Sequence, residues 1–136
     1  MNHARKLSSH ARPAEIALRL SLTKAVTRLF TEWELSTAEQ LTLLGLRETS
    51  RNLLLHYHRL EKTIPQSQDT TERIGLLLSI YKNIYDLYPE NEILRKTWVK
   101  RHNAKLEGNR PLDIMLEKGL FGLADVMRFL DLQKVL

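Results

Sequence analysis

The sequence predicts an all-α protein in which an N-terminal helix-turn-helix-like domain packs on a C-terminal helical domain. Apolar residues recur with the 3.6-residue period of an amphipathic helix through most of the chain. Proline, glycine, serine and asparagine stand where these periodic segments begin and end. The 136 residues, 43% of them hydrophobic, suffice for one good core or two small, closely packed helical subdomains. We expect residues 1–12 to form a flexible basic tail, 13–68 the first domain and 69–136 the second.

The first long helix is predicted to begin at Pro13, because proline suits the first helical position. The apolar series expected to face the core is Leu18, Leu22, Ala25 or Val26, Leu29 and Trp33. The preceding residues carry Arg5, Lys6 and Arg12 without hydrophobic periodicity. This pattern is typical of a frayed terminus, and a basic arm that touches phosphates is the alternative.

A helix-turn-helix is predicted in the next segment. Ser36 and Glu39 have the spacing of a capping box ahead of a short helix that Gly45 ends, and a third helix follows over residues 48–60. The third helix has four residues available to the core, namely Leu53, Leu54, Tyr57 and Leu60. In this geometry the second helix of the motif presents its early residues to DNA bases. The candidate DNA-binding residues are Arg47, Thr49, Ser50, Arg51 and Asn52. Arginine can form two hydrogen bonds with guanine, and asparagine can do the same with adenine. Arg51, however, stands where the motif has an apolar residue.

The strongest helical periodicity follows a connector over residues 62–68. Asp69 or Thr70 is expected to cap this helix, and Pro89 to end it. Its apolar series is Ile74, Leu77, Leu78, Tyr81, Ile84, Tyr85 and Tyr88. The three tyrosines are interpreted as half-buried core rings, with an exposed interface as the alternative.

The stretch around which the rest of the chain is predicted to be organised covers residues 92–132. Asn91 can cap a short helix that carries Trp98, and a polar, glycine-containing loop over residues 101–110 follows. Pro111 then restarts a helix that Gly119 should stop. A final helix from about Gly122 sets one apolar face, formed by Leu123, Val126, Met127 and Leu130.

Seven residues of this stretch resemble the C-terminal domain of the Xre/MbcA/ParS antitoxins, and the resemblance covers the chain from residue 74 onward. They are Trp98, Asn103, Gly108, Arg110, Pro111, Leu112 and Asp113. By physics alone these residues have structural roles, such as core anchor, turn glycine and first-turn acid. The resemblance implies a protein that binds and neutralises a cognate toxin, commonly a RES-domain protein that consumes NAD. It also implies that the helix-turn-helix binds operator DNA and represses the shared operon.

Toxin binding would need a hydrophobic anchor with a polar rim. The end of the last helix offers Phe129, Leu132, Val135 and Leu136, and we hypothesise that this end enters the toxin's cleft. The alternative is a tail folded on its own core. Symmetric operators favour dimers, so a homodimer is expected.

Catalytic and metal-binding patterns are missing from the sequence, which predicts neither an enzyme nor a cofactor or metal site. The chain has no cysteine, and His56 and His58 are two residues apart, a spacing that points them away from each other on a helix. No apolar run has the length of a membrane span, so a cytoplasmic protein is expected. The net charge of +5 is consistent with an anionic partner, although the basic residues are dispersed. The alternatives are a stand-alone helix-turn-helix regulator and a helical adaptor that binds only protein.

Overall fold

A computed structural model describes residues 12–136, so the predicted basic tail lies outside the described residues except for Arg12. The described part of the chain contains helices and no strand, which confirms the all-α prediction. The α-helices are α1 (Pro13–Glu32), α2 (Thr37–Leu44), α3 (Arg51–His58), α4 (Gln68–Leu87), α5 (Glu92–Thr97) and α6 (Pro111–Val135). Three short 3-10 helices lie between them, at Glu48–Ser50, Trp98–Lys100 and Ala104–Leu106.

Most of the predicted helix ends are confirmed. Pro13 is the first residue of α1, and Ser36 and Glu39 form both hydrogen bonds of a capping box, at 3.1 and 2.8 Å. Gly45 ends α2 in the left-handed conformation, with φ of 71°. The side chain of Asn91 accepts a hydrogen bond from the backbone N–H of Leu94, which caps α5.

The predicted cap of α4 was wrong. Ser67 caps this helix, and its hydroxyl accepts a hydrogen bond from the backbone N–H of Thr70 at 3.2 Å. Asp69 lies in the first turn instead, where its carboxylate accepts a hydrogen bond from Arg73 at 3.0 Å. The helix therefore begins one residue before the predicted second domain.

One hydrophobic cluster runs through both halves of the chain. It contains buried side chains of α1, α2, α3, α4 and α6, together with Trp98 and Val99. Helix α4 is the central element, because it packs against α1 and α2 and forms its most extensive pairing with α6. Its buried apolar face consists of Ile74, Leu77, Ile80 and Ile84. The two halves are therefore packed together, as the short connector predicted.

Two predicted faces differ from the structure. Val26 and Leu29 of α1 and Trp33 directly after it are buried as expected, whereas Leu18 is 60% exposed because the body of the protein does not reach the start of the helix. Tyr81 of α4 and Tyr88 directly after the helix are half-buried, but Tyr85 is 49% exposed. The guanidinium of Arg95 lies over the Tyr85 ring, 4.6 Å from its centre.

The third helix is shorter than the predicted span over residues 48–60. It starts with the 3-10 turn Glu48–Ser50, continues as α3 and ends at His58. Leu54 and Tyr57 are buried, and Leu53 and Leu60 are half-buried. Leu60 has a positive φ of 59°, so the chain turns away from the helix here.

The break predicted at Gly119 is confirmed as a kink. Gly119 has φ of 58° and ψ of −133°, a conformation essentially restricted to glycine. Helical hydrogen bonding resumes at once and not at Gly122, so α6 is one kinked element. Gly122 is buried where the two arms of the kink meet, and a Cβ atom there would overlap the carbonyl oxygen of Ile114. Among the described helices, none has the length and apolar character needed to cross a membrane.

Candidate functional site

The first candidate surface is the helix-turn-helix formed by α2 and α3. Gly45 donates its backbone N–H to the carbonyl of Thr42 at 3.0 Å, and Leu46 donates to Leu41 at 2.9 Å. This hydrogen-bonding pattern closes the end of α2 and redirects the chain into the next helix. Helices α2 and α3 then pack against each other, with α1 behind α3.

The structure brings the five predicted DNA-binding residues together at the start of the second helix of this motif. Arg47, Thr49, Arg51 and Asn52 are exposed, and Ser50 is half-buried. Arg51 does not disturb the packing although an apolar residue was expected at this position, because its side chain points to solvent and Leu54 fills the core.

Arg51 forms an ion pair with Glu48, with 2.7 Å between its Nη1 atom and the carboxylate oxygen. The two side chains are 60% and 65% exposed, so water and salt screen their attraction. A phosphate or a guanine edge can therefore compete for Arg51 at small cost. The three-residue spacing of Glu48 and Arg51 is the signal from which this pair could have been predicted.

A cleft of about 340 Å³ separates the start of α2 from α3. The side-chain amide of Gln40 donates to the carbonyl of Leu35 at 3.0 Å, and its oxygen lies 2.7 Å from Nε2 of His58. Burial lowers the pKa of His58, which favours the neutral ring. His58 therefore supports the packing of α2 on α3, and Arg51 and Asn52 line the open side of the cleft.

The second candidate surface is the C-terminal end of α6. Three of the four predicted toxin-binding residues are exposed: Leu132 by 60%, Val135 by 78% and Leu136 by 91%. Phe129 is half-buried and stacks on Trp98, with 6.4 Å between the ring centres. The alternative of a tail folded on its own core is therefore wrong for Leu132, Val135 and Leu136, and Phe129 belongs partly to the core.

A polar network fixes this end of α6 against α4. Asn83 is buried; it donates to Asp131 at 2.8 Å and accepts from Lys134 at 3.1 Å. Lys134 also donates to the carboxylate of Asp86 at 2.9 Å, and this hydrogen bond lowers the pKa of Asp86. The exposed aliphatic side chains thus project from a positioned helix end.

Most of the seven residues that carry the family resemblance are buried or form hydrogen bonds within the chain. The side chain of Asn103 accepts from the backbone N–H of Lys105 at 3.0 Å, and its carbonyl accepts from Gly108, which has φ of 81°. Arg110 binds Asp113 through two hydrogen bonds of 2.9 and 2.7 Å, which lower the pKa of Asp113. The remaining three residues, Trp98, Pro111 and Leu112, are buried.

Sequence reasoning missed several exposed apolar side chains, among which Phe121 at 80% and Ile93 at 72% are the most exposed. Phe121 lies off the face of Leu123, Val126 and Leu130, and this was the only available signal of its exposure. Among residues 12–136, no three His, Cys, Asp or Glu side chains are grouped to hold a metal ion.

Comparisons with known proteins match both halves of the chain. Residues 13–79 match the model of the antitoxin Xre-like helix-turn-helix domain. Residues 85–132 match the model of the antitoxin Xre/MbcA/ParS C-terminal toxin-binding domain. The chain is also 31% identical over 111 residues to the uncharacterized protein y4oB of Sinorhizobium fredii, an alignment that covers 82% of each protein.

Proposed function

The chain belongs to the Xre-type antitoxin family, and from this premise we propose that it neutralises a RES-domain toxin that consumes NAD and represses their shared operon. A DNA-binding domain and a toxin-binding domain on one chain are characteristic of an antitoxin that also binds DNA. The observation that carries the finer proposal is that each matched domain has an exposed surface whose chemistry suits the partner proposed for it, DNA for the first domain and a toxin for the second. The recognition-helix residues are polar and basic, and the end of α6 is aliphatic. Both partners would be met in the cytoplasm.

In this proposal the end of α6 blocks the toxin. Leu132, Val135 and Leu136 can supply the hydrophobic anchor, because their side chains are exposed while the helix that carries them is held by Asn83 and Asp86. A positioned anchor loses little conformational freedom on binding, which favours affinity. Charged and polar neighbours provide the rim.

Neutralisation can be tested by expressing the open reading frame beside this gene in bacteria, alone and together with this protein, while growth and cellular NAD are measured. We expect growth arrest with loss of NAD, both relieved by co-expression. A chain that lacks residues 133–136 and carries Leu132→Ser should fail to relieve the arrest. Leu55→Ser is the matched control, since Leu55 is 53% exposed but lies in the helix-turn-helix.

Each component of this proposal can fail separately. Arrest without loss of NAD would contradict a NAD-consuming toxin. Full relief by the truncated chain would contradict the role of the α6 end. No toxicity from either neighbouring reading frame would favour the stand-alone regulator.

DNA binding can be tested by measuring affinity for the operon's upstream region at several salt concentrations. Because each phosphate contact releases counterions, we expect affinity to fall steeply as salt rises. If Arg51 contacts a phosphate, Arg51→Ala should reduce the slope of log K against log salt by about 1, and if it contacts a base the variant should lose discrimination among sites. Lys82→Ala is the control, because Lys82 is exposed on α4 outside the motif.

The arginine variants also test the recognition-helix assignment. If Arg47→Ala and Arg51→Ala both leave DNA affinity, discrimination and salt slope unchanged, that assignment is wrong. A chain that binds the toxin but shows no salt-dependent DNA binding would be the protein-only adaptor. Repression of a reporter by the wild-type chain, and its loss in the double arginine variant, would connect DNA binding with control of the operon.

A further inference from the structure

We infer that Lys24 and Arg28 form a phosphate-binding site, which holds one phosphate of a DNA strand beside the end of α3. We call these two residues and the cleft that they line the α1 cation site. The inference rests on the proposed DNA binding and deepens it, because a phosphate contact positions a protein on DNA without reading the sequence. Its test compares variants at this site with the wild type, so its failure can be distinguished from a failure of DNA binding itself.

The α1 cation site lies in a cleft of about 270 Å³ between the second half of α1 and the end of α3. Lys24, Arg28 and Thr31 are four and three residues apart, so they share one face of α1, and all three are exposed. His58 and Leu60 line the side of the cleft that α3 contributes. Side chains four residues apart on a helix are neighbours, so a single phosphate can accept hydrogen bonds from both cations.

Neither cation has an acidic partner in the described chain. Lys24 and Arg28 form no ion pair with residues 12–136, and the residues that line the cleft include no acid. Glu32 lies one turn beyond Arg28, but it is engaged by Tyr81: burial and a hydrogen bond to Glu32 raise the pKa of Tyr81 to about 12. Like charges four residues apart on a helix repel each other, and an anion bound between them removes this repulsion.

The other polar side chains of the cleft leave binding to the two charges. The hydroxyls of Thr27 and Thr31 already donate to backbone carbonyls of α1, at 2.8 and 3.0 Å. Nε2 of His58 lies 2.7 Å from the side-chain oxygen of Gln40, and the lowered pKa of His58 favours its neutral ring. The contact is therefore electrostatic and independent of base sequence, which is the character of a backbone phosphate contact.

The position of the cleft identifies DNA as the source of the phosphate. It shares His58 with the cleft between α2 and α3, which Arg51 and Asn52 line. Arg51, Leu55 and His58 are spaced at four and three residues, so they follow one face of α3. Helix α3 is roughly 12 Å long and the major groove is about as wide. When its first residues contact base edges, the end of α3 comes close to a sugar–phosphate strand that borders the groove.

The salt dependence of DNA affinity tests the site. We expect the double variant K24A/R28A to reduce the slope of log K against log salt by about 1, because one phosphate contact is lost. Its affinity should fall by the same factor for the operon's upstream region and for a random duplex. The matched control is R101A/K118A, which removes the same two charges from exposed residues of the second domain. Lys24→Arg, which keeps the charge, should keep the wild-type slope.

Neutral methylphosphonate linkages locate the contact directly. Each replaces a single phosphate within the part of the upstream region that the wild type protects from hydroxyl-radical cleavage. We expect a position at which the neutral linkage weakens binding of the wild type and of Arg51→Ala, but not of K24A/R28A. Circular dichroism should show native helicity in the double variant, because both side chains are exposed and alanine favours a helix.

Several results would overturn the inference and leave DNA binding standing. They are an unchanged salt slope in K24A/R28A, an equal change in R101A/K118A, and a methylphosphonate pattern that K24A/R28A shares with the wild type. Lost discrimination among sequences in K24A/R28A would replace the phosphate contact by a base contact. Loss of toxin binding with intact DNA binding would assign the cleft to the toxin. A wild type that binds no DNA would overturn the proposed repression together with this inference.

Discussion

Gly119 holds the kink that shapes the toxin-binding half. Its φ of 58° and ψ of −133° are accessible to glycine and strained for any residue with a Cβ atom. The Cβ of an alanine would make only an ordinary van der Waals contact with the guanidinium of Arg73, at 3.5 Å, so the cost comes from the backbone conformation. We predict that Gly119→Ala lowers the free energy of unfolding by about 1–3 kcal/mol, measured by urea denaturation.

The matched control for Gly119 is Gly75, which lies inside α4 and has no neighbouring atom within 4 Å of an added Cβ. Since glycine weakens a helix interior, Gly75→Ala should raise the free energy of unfolding by about 0.5–1 kcal/mol. Equal stabilisation by both substitutions would show that the kink does not require glycine.

His58 should make stability depend on pH. Burial lowers its pKa from the ordinary value near 6.5, so the unfolded chain binds the proton more tightly than the folded chain. The stability contributed by the neutral ring is complete above the unfolded pKa and is lost as the pH falls towards the folded pKa. We predict that His58→Gln loses less stability than the wild type between about pH 7.5 and pH 5.5 in urea titrations. His56→Gln, the control two residues away, should lose as much stability over this pH range as the wild type. An equal loss in His58→Gln would contradict the assignment of this pH dependence to His58.

At the scale of the element, the capping box of α2 stabilises the helix that supports the recognition helix. The Ser36 hydroxyl accepts from the backbone N–H of Glu39 at 3.1 Å, a bond that alanine cannot make. We predict that Ser36→Ala lowers the free energy of unfolding by about 1 kcal/mol in thermal or urea denaturation. Ser79→Ala is the control, since Ser79 is exposed inside α4, where alanine favours the helix. If Ser36→Ala lowers the free energy of unfolding no more than Ser79→Ala does, water replaces the capping hydrogen bond without loss of stability.

Helix ends were predictable because local chemistry determines them. Ser36, Gly45, Asn91 and Pro111 each act on backbone groups within a few residues, so sequence spacing contains the necessary information. The cap of α4 is equally local, since the Ser67 hydroxyl accepts from the backbone N–H of Thr70, but residue type alone does not decide between Ser67 and Asp69. Asp69 is a good cap by residue type, but it binds Arg73, whose guanidinium also donates to the carbonyl of Thr42 in α2. That contact depends on a distant helix.

How far each side chain is exposed to solvent could likewise not be predicted from the local sequence. Helical period identified the stripe that contains Leu18, but it cannot show where the body of the protein ends along α1. In the candidate sites, the position of the predicted DNA-binding residues followed from the glycine turn, and the pairing of Arg51 with Glu48 could have been predicted from their three-residue spacing. Phe129 was expected at the interface and instead stacks on Trp98, a contact that requires the fold of the intervening loop.

At the scale of the whole molecule, the two matched domains are not separate bodies. The first match ends at residue 79 and the second begins at residue 85, both within α4. Arg73 on this helix contacts the end of α2 and lies beside the kink of α6. Removal of either half would expose the buried face of α4, so neither half has a complete core of its own.

The shared core predicts a single cooperative unfolding transition, which the two tryptophans can test because one lies in each half. Trp33, directly after α1, is 1% exposed, and Trp98, directly after α5, is 5% exposed. Trp98→Phe leaves a probe of the first half, and Trp33→Phe leaves a probe of the second. In each variant we predict that urea unfolding followed by fluorescence and by circular dichroism gives the same midpoint and slope.

The comparison is made within each variant, because each substitution changes stability by itself. Trp98→Phe alters the stack on Phe129, and Trp33→Phe removes a buried N–H that has no hydrogen-bond partner among the described residues. Separate midpoints for the two probes would mean that α4 can remain folded against one half alone, and the helix-turn-helix could then act without the toxin-binding half.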